Sequence, residues 1–319
     1  MYYMLKIKSK TFLTFVILLC ITLFIINPSS CMNATLRGGK VWLINVVPAL
    51  FPFFILTRII TSLNQSSIIP LDKFTNKFFN TNNAGLVYFL SMLSGYPVGA
   101  KMISTYYHNG TINKDTATKM FSFCSTSGPM FIVGTVGIGV FKNSAVGYIL
   151  LVSHIIGSFI NGLLHRGKNT PANQFKTELV KTSLNDIMYD SIISILLVGG
   201  YIVFSSVVIE LLTLTNILPT LANLIVKTFG CKYDVALSCL CGIIEITNGL
   251  IMLGSCNISI AIKIVLATAL IAFSGICIML QSCAFLDKLN IKKSTIIVQK
   301  LTQTLVSVVV SILIVLIAY

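Results

Sequence analysis

Three short stretches and one helical face hold the residues of this 319-residue chain whose types and spacing could do chemistry. The first is Ser94-Gly95-Tyr96-Pro97-Val98-Gly99-Ala100-Lys101, where Gly and Pro break a helix and free backbone N–H and C=O groups that protein, water or a solute must satisfy. It could equally be a packing kink, and Lys101 could meet an anion or mark the membrane interface. The second, Phe123-Cys124-Ser125-Thr126-Ser127-Gly128-Pro129, offers the hydroxyls of Ser125, Thr126 and Ser127, which could bind a solute or bond backwards along their own helix. The third is Cys241-Gly242-Ile243-Ile244-Glu245-Ile246-Thr247-Asn248-Gly249.

Glu245 is the carboxylate set deep in an apolar segment, whereas Asp190 and Glu210 lie near segment ends. An ionisable group inside a membrane costs a few kcal/mol and marks function by default. Glu245 could hold a donor of a substrate, or take a coupling H⁺ or Na⁺ with Thr247 and Asn248 beside it; a neutral, core-bonded acid is the alternative. Ser274 and Gln281, seven residues apart, are the polar face of the next segment. His154 could be a packing residue or a proton relay.

These stretches need a membrane around them. The chain is 55% hydrophobic and 10% charged, with mean hydropathy +0.90. Charge-free runs recur at 11–36, 120–141, 191–209, 264–286 and 301–319, and crossing a bilayer takes about 20 helical residues. The first run reads as an uncleaved span rather than a signal peptide, since no clean small-x-small cleavage site follows it. A net charge of +14 is scattered through short loops, so nucleic acid is not an expected partner. Nine cysteines form no C-x-x-C and read as small hydrophobes, with no metal site or cofactor expected. No Walker-type loop, H-E-x-x-H or G-x-S-x-G is present, so an enzyme is not expected.

An offset of 147 residues lays Gly95 on Gly242 and Ser127-Gly128 on Ser274-Gly275, each glycine pair 33 apart. Each half has four apolar segments, of which 85–100 and 235–254 are short or Gly-broken. If both of these turn back, the side of the N-terminus collects 17 of the 23 lysines and arginines, Lys300 among them; if both cross, the split is 13 against 10. The excess of positive charge on cytoplasmic loops favours turning back. Three crossings per half then make the repeats inverted, an architecture of transporters whose halves alternate access. The expectation is an all-α, polytopic membrane protein of about seven spanning helices with two re-entrant hairpins in an inverted repeat. Residues 1–40 form a first span and loop, 41–164 and 187–319 the repeats, and 165–186 the linker. The N-terminus is expected in the cytoplasm and the C-terminus outside; a reporter joined after Tyr319 checks this, and a cytoplasmic reading contradicts it.

The segments FLSMLSGYPVGAK, FSFCSTSGPMFIVGTVGIGVFKN and YILLVSHIIGSFINGLL resemble the YlbJ sporulation integral membrane proteins, of the nucleoside-recognition or Gate superfamily, which is similar to the concentrative nucleoside transporters. The resemblance extends more weakly through Gly242 to Gly249 and onward. It implies a multi-pass protein of a spore former's cell membrane, around the forespore, that moves dipicolinic acid. By the same resemblance Gly95, Tyr96, Pro97, Ser125, Thr126, Ser127, Glu245, Thr247, Asn248 and Ser274 hold the substrate. A nucleoside cargo, or a non-transporting assembly or signalling factor of spore maturation, are the alternatives. Expected partners are a small-molecule substrate and the lipid bilayer, with a homo-oligomer left open.

Overall fold

The computed structural model describes residues 2–62, 69–167 and 183–318, so the linker expected at 165–186 lies largely outside the described residues. Within them every element is helical, as a chain in hydrocarbon requires when each backbone group must find its partner locally. Helix α1 (Tyr2–Ile26) is followed by α2 (Pro28–Val41), a π-helical turn (Trp42–Val46) and α3 (Val47–Ser62), then by the short α4 (Ile69–Phe79). Next come α5 (Gly85–Ser94) and α6 (Val98–His108), then α7 (Lys114–Cys124), which resumes after a break as the π-helical stretch Met130–Val140, and α8 (Ser144–Leu164). The second half runs α9 (Leu184–Leu214), α10 (Ile217–Phe229), α11 (Tyr233–Ile244) with α12 (Ile246–Ser255), α13 (Ile260–Phe273) with α14 (Gly275–Leu286), and α15 (Lys293–Ala318). Polar caps start several of them: Asn113 accepts from the N–H of Thr116 at α7, Asn143 from Ala145 at α8, and Ser183 with Asp186 forms a capping box at α9.

Five stretches are long and apolar enough to cross a bilayer: Pro28–Ile60, Ser144–Leu164, Leu184–Leu214, Ile260–Leu286 and Lys293–Ala318. That is fewer than the seven expected. The other two of that count are the apolar part of α1, Thr14–Ile26, and α7 with Met130–Val140, which the break at 125–129 keeps from being one continuous helix. The chain is a polytopic membrane protein, and its large exposed apolar side chains, such as Leu196, Phe204, Leu305 and Leu316, line the outside of the long helices.

Both short segments turn back on themselves. In the first, the Asn83 amide, just before α5, reaches the carbonyl of Thr111, just after α6. In the second, Cys256 lies against Ser238 and Lys232 donates to the carbonyl of Asn257. The second arm of the first hairpin runs to His108, eight residues beyond the segment read from sequence.

Corresponding helices of the two halves run antiparallel, as an inverted repeat requires. Helices α2 and α3 run against α9: Arg37 pairs with Glu210 at 2.6 Å, the Trp42 indole donates to the Ile195 carbonyl at 3.1 Å, and Arg58 pairs with Asp190 at 3.0 Å, so numbers rise on one side as they fall on the other. Likewise α8 runs against α15, with Asn161 on the Gln299 carbonyl and Gly157 against Ser307. Small residues at such crossings let backbones approach closely, which matters where lipid offers no hydrophobic drive for helix pairing.

Three apolar cores hold the fold, and each draws on both halves. One joins α4 to α7 with Leu286, Leu289 and Ile296 of the second half. Another joins Met130–Val140 and the start of α8 with α12 and α13. The third packs Val46, Leu50 and Phe54 on Ile195, Val198 and Ile202 of α9.

Candidate functional site

The hairpin tips and the helix breaks meet at the centre, for reasons written in the sequence. Gly95, at φ +78°, ends α5, and a Cβ there would run into the backbone N of Gly128, so the first tip rests directly on the first break. Gly275, at φ +74°, would place a Cβ 3.1 Å from the carbonyl of Gly242, beside the second tip. The glycine pairs of the repeat are thus the contact points between tip and break in each half. Pro97 caps α6 behind Tyr96.

A narrow cavity of about 40 Å³ lies where both tips, the first break and α14 converge. Tyr96, Ser127, Glu245, Thr247 and Gln281 give its polar wall, and Leu50, Phe131 and Ile202 are on its apolar side. It has room for roughly three waters, so in this conformation the site is closed to an aromatic solute.

Of the ten substrate-site residues named from sequence, Tyr96, Ser127, Glu245 and Thr247 line this cavity, joined by Gln281 of the polar face noted beside Ser274. Glu245 sits between α11 and α12 and caps the latter, accepting from the N–H of Thr247 at 3.0 Å and of Asn248 at 2.8 Å. A helix N-terminus carries partial positive charge, so both carboxylate oxygens are met by donors, with no lysine or arginine paired to them among the described residues. Asn248 turns its side-chain amide to the Ser206 hydroxyl of α9. Thr126 donates to the carbonyl of Ser91, tying break to hairpin, and Ser274 donates to the carbonyl of Phe273 at the second break. Lys101 is not at the cavity; its ammonium meets the Ser194 hydroxyl at 2.9 Å.

Sequence reasoning missed Lys300, which was counted among interfacial topology lysines. The structure corrects that: Lys300 is 2% exposed, inside α15, and no carboxylate pairs with it among the described residues. Its Nζ donates to the Tyr96 hydroxyl at 2.7 Å, the Ser125 carbonyl at 2.6 Å and Gln303 Oε1 at 3.0 Å, and lies 4.6 Å from the Tyr96 ring centre. The Ser125 carbonyl is open because its helical partner four residues on would be Pro129, which has no N–H. Two residues along, the N–H of Ser127 donates to His154 Nε2 at 2.9 Å, which places the ring proton on Nδ1 and gives His154 a positioning role at the break. A signal for Lys300 was present: Gln299, Lys300, Gln303, Ser307 and Ser311 recur every three or four residues and are all buried, an inward polar stripe on an apolar helix.

The nine cysteines are all free, with Cys31, Cys124, Cys241, Cys256 and Cys277 buried as packing residues.

The sporulation integral membrane protein YlbJ of Bacillus subtilis (strain 168) is 27% identical over 329 aligned positions, covering 93% of this chain and 80% of that protein. The chain is similar to that protein over nearly its whole length. So little of it falls outside the match that both halves are included. No family model and no solved structure matches it.

Proposed function

We propose that this YlbJ-like chain is a secondary transporter of a small polar solute, with dipicolinic acid as cargo ahead of nucleosides, working by alternating access during sporulation. The observation that carries the reading is the central cavity bounded by both hairpin tips and a helix break, at the seam of two inverted halves. Broken helices that meet near the midplane present unpaired backbone groups to a solute, and their paired, inverted arrangement gives two equivalent closures. The charge pattern suits an anion better than its lone acid suggests. Glu245 has its oxygens taken up by the N–H groups of α12, and the Lys300 amine stands behind Tyr96 with no carboxylate against it. The sporulation role follows the printed name of the B. subtilis relative, and dipicolinate follows the family resemblance.

Uptake into proteoliposomes tests this, comparing dipicolinate with uridine, each with and without a Na⁺ or pH gradient. Dipicolinate flux above empty liposomes is the expected result; no flux of either solute favours an assembly factor. Glu245→Gln keeps an acceptor oxygen for the cap but removes the charge, and is expected to cut uptake by at least about tenfold at unchanged membrane level. Glu245→Ala removes the cap as well and should also lower the unfolding midpoint, by the equivalent of roughly 1 to 2 kcal/mol. Normal uptake by the Gln variant removes Glu245 from the mechanism.

A further inference from the structure

Lys300 is held in an unusual way for a buried amine. Its three ligands are all oxygens, and they come from three separate pieces of structure: the phenol of Tyr96 at the first hairpin tip, the main-chain carbonyl of Ser125 at the first break, and the amide oxygen of Gln303 on its own helix. The Gln303 amino group meanwhile has no hydrogen-bond partner, so the amide spends its oxygen on the amine and leaves its donors unused. Unwound backbone carbonyls beside a broken helix are the groups with which membrane transporters coordinate alkali-metal ions. An ammonium with three donors fills three acceptors as such an ion would.

We propose that the Lys300 ammonium occupies the position of an alkali-metal ion between the first hairpin tip and the broken span, so that the chain carries its own tethered cation there. A charge on a flexible four-carbon stem joins tip, break and α15 without being lost to solution. The consequence for coupling, a cycle that needs no sodium, rests on the transport reading; the cation position itself does not. Shortening the side chain empties it and leaves the oxygens of Tyr96, Ser125 and Gln303 facing a space that an alkali ion with water can enter.

The test is thermal unfolding of the purified full chain in NaCl, KCl and choline chloride at equal ionic strength. Wild type and Lys300→Met, whose side chain fills the same space, are expected to unfold at the same temperature in all three salts. Lys300→Ala is expected to gain an alkali-ion-specific rise of about 4 °C or more over choline. The proposal is overturned if Lys300→Ala responds no more to sodium or potassium than to choline, or if the wild type is itself stabilised by one of them. Should Lys300→Ala aggregate in choline alone, rescue by sodium or potassium supports the proposal. Should it aggregate in every salt, Lys300→Ser takes its place, and aggregation of both in every salt overturns the proposal too. No flux is read, so a failed uptake assay leaves this result standing, and a flat thermal response leaves the transport reading standing.

Discussion

Lys300→Met is expected to lose at least about nine-tenths of dipicolinate uptake while its unfolding midpoint stays level or rises. Two opposed effects decide the stability. Removing the amine strips a partner from three buried oxygens, at about 1 to 3 kcal/mol for each that stays unsatisfied. It also removes a buried cation with no carboxylate against it, whose desolvation costs several kcal/mol. The Tyr96 hydroxyl also meets the Ser274 side chain, so it keeps a partner once the amine is gone, which shortens the list of orphans, and relief of the buried charge wins. Uptake and midpoint measured on one preparation check the result. A midpoint lowered by more than about 5 °C, with uptake falling only as folded protein falls, would assign Lys300 a structural role alone.

Gly95→Ala should be among the most damaging single methyl groups in the hairpins. At φ +78° and ψ −165°, a region that essentially only glycine enters, an L-residue pays about 1 to 3 kcal/mol of backbone strain. The added Cβ also meets the backbone N of Gly128, which cannot swing aside as a side-chain end could. Gly275→Ala is the comparison: its φ of +74° is positive too, but its nearest neighbours are at 3.1 and 3.4 Å and need yield only slightly. The expected losses are roughly 3 kcal/mol or more for Gly95→Ala and about 1 to 2 for Gly275→Ala, read as midpoint shifts in detergent. Uptake should fall with Gly95→Ala beyond what lost protein explains, because the tip no longer seats on the break. Equal shifts for the two variants would refute the contact asymmetry.

Much of this architecture was legible because membranes leave few options. A short apolar segment ending in Gly-Tyr-Pro cannot cross, so the hairpin at Tyr96 followed from length and helix chemistry. The 33-residue glycine spacing was visible as well, but not its meaning, since only the folded chain brings Gly95 onto Gly128 and Gly242 beside Gly275. Glu245 stood out as a lone acid, yet its role as a cap depends on α12 starting at the next residue, a boundary that apolar periodicity does not mark. Lys300 was hidden by its neighbours: Lys292 and Lys293 begin the same helix, and a lysine two turns further on reads as one more interfacial charge until its stripe with Gln303 and Ser307 is followed inward.

The shared cores have a mechanical consequence. Helix α7 belongs to the first core, but its continuation, Met130–Val140, belongs to the second; α13 belongs to the second, and α14 returns to the first through Leu286. Each broken span therefore bridges two packed bodies, and neither body coincides with one covalent half. When those bodies tilt, the strain falls on residues 125–129 and on Ser274, where no helix resists bending. On the proposed transport reading the breaks act as joints, the cavity lies against the first of them, and the amine of Lys300 is a pin through it.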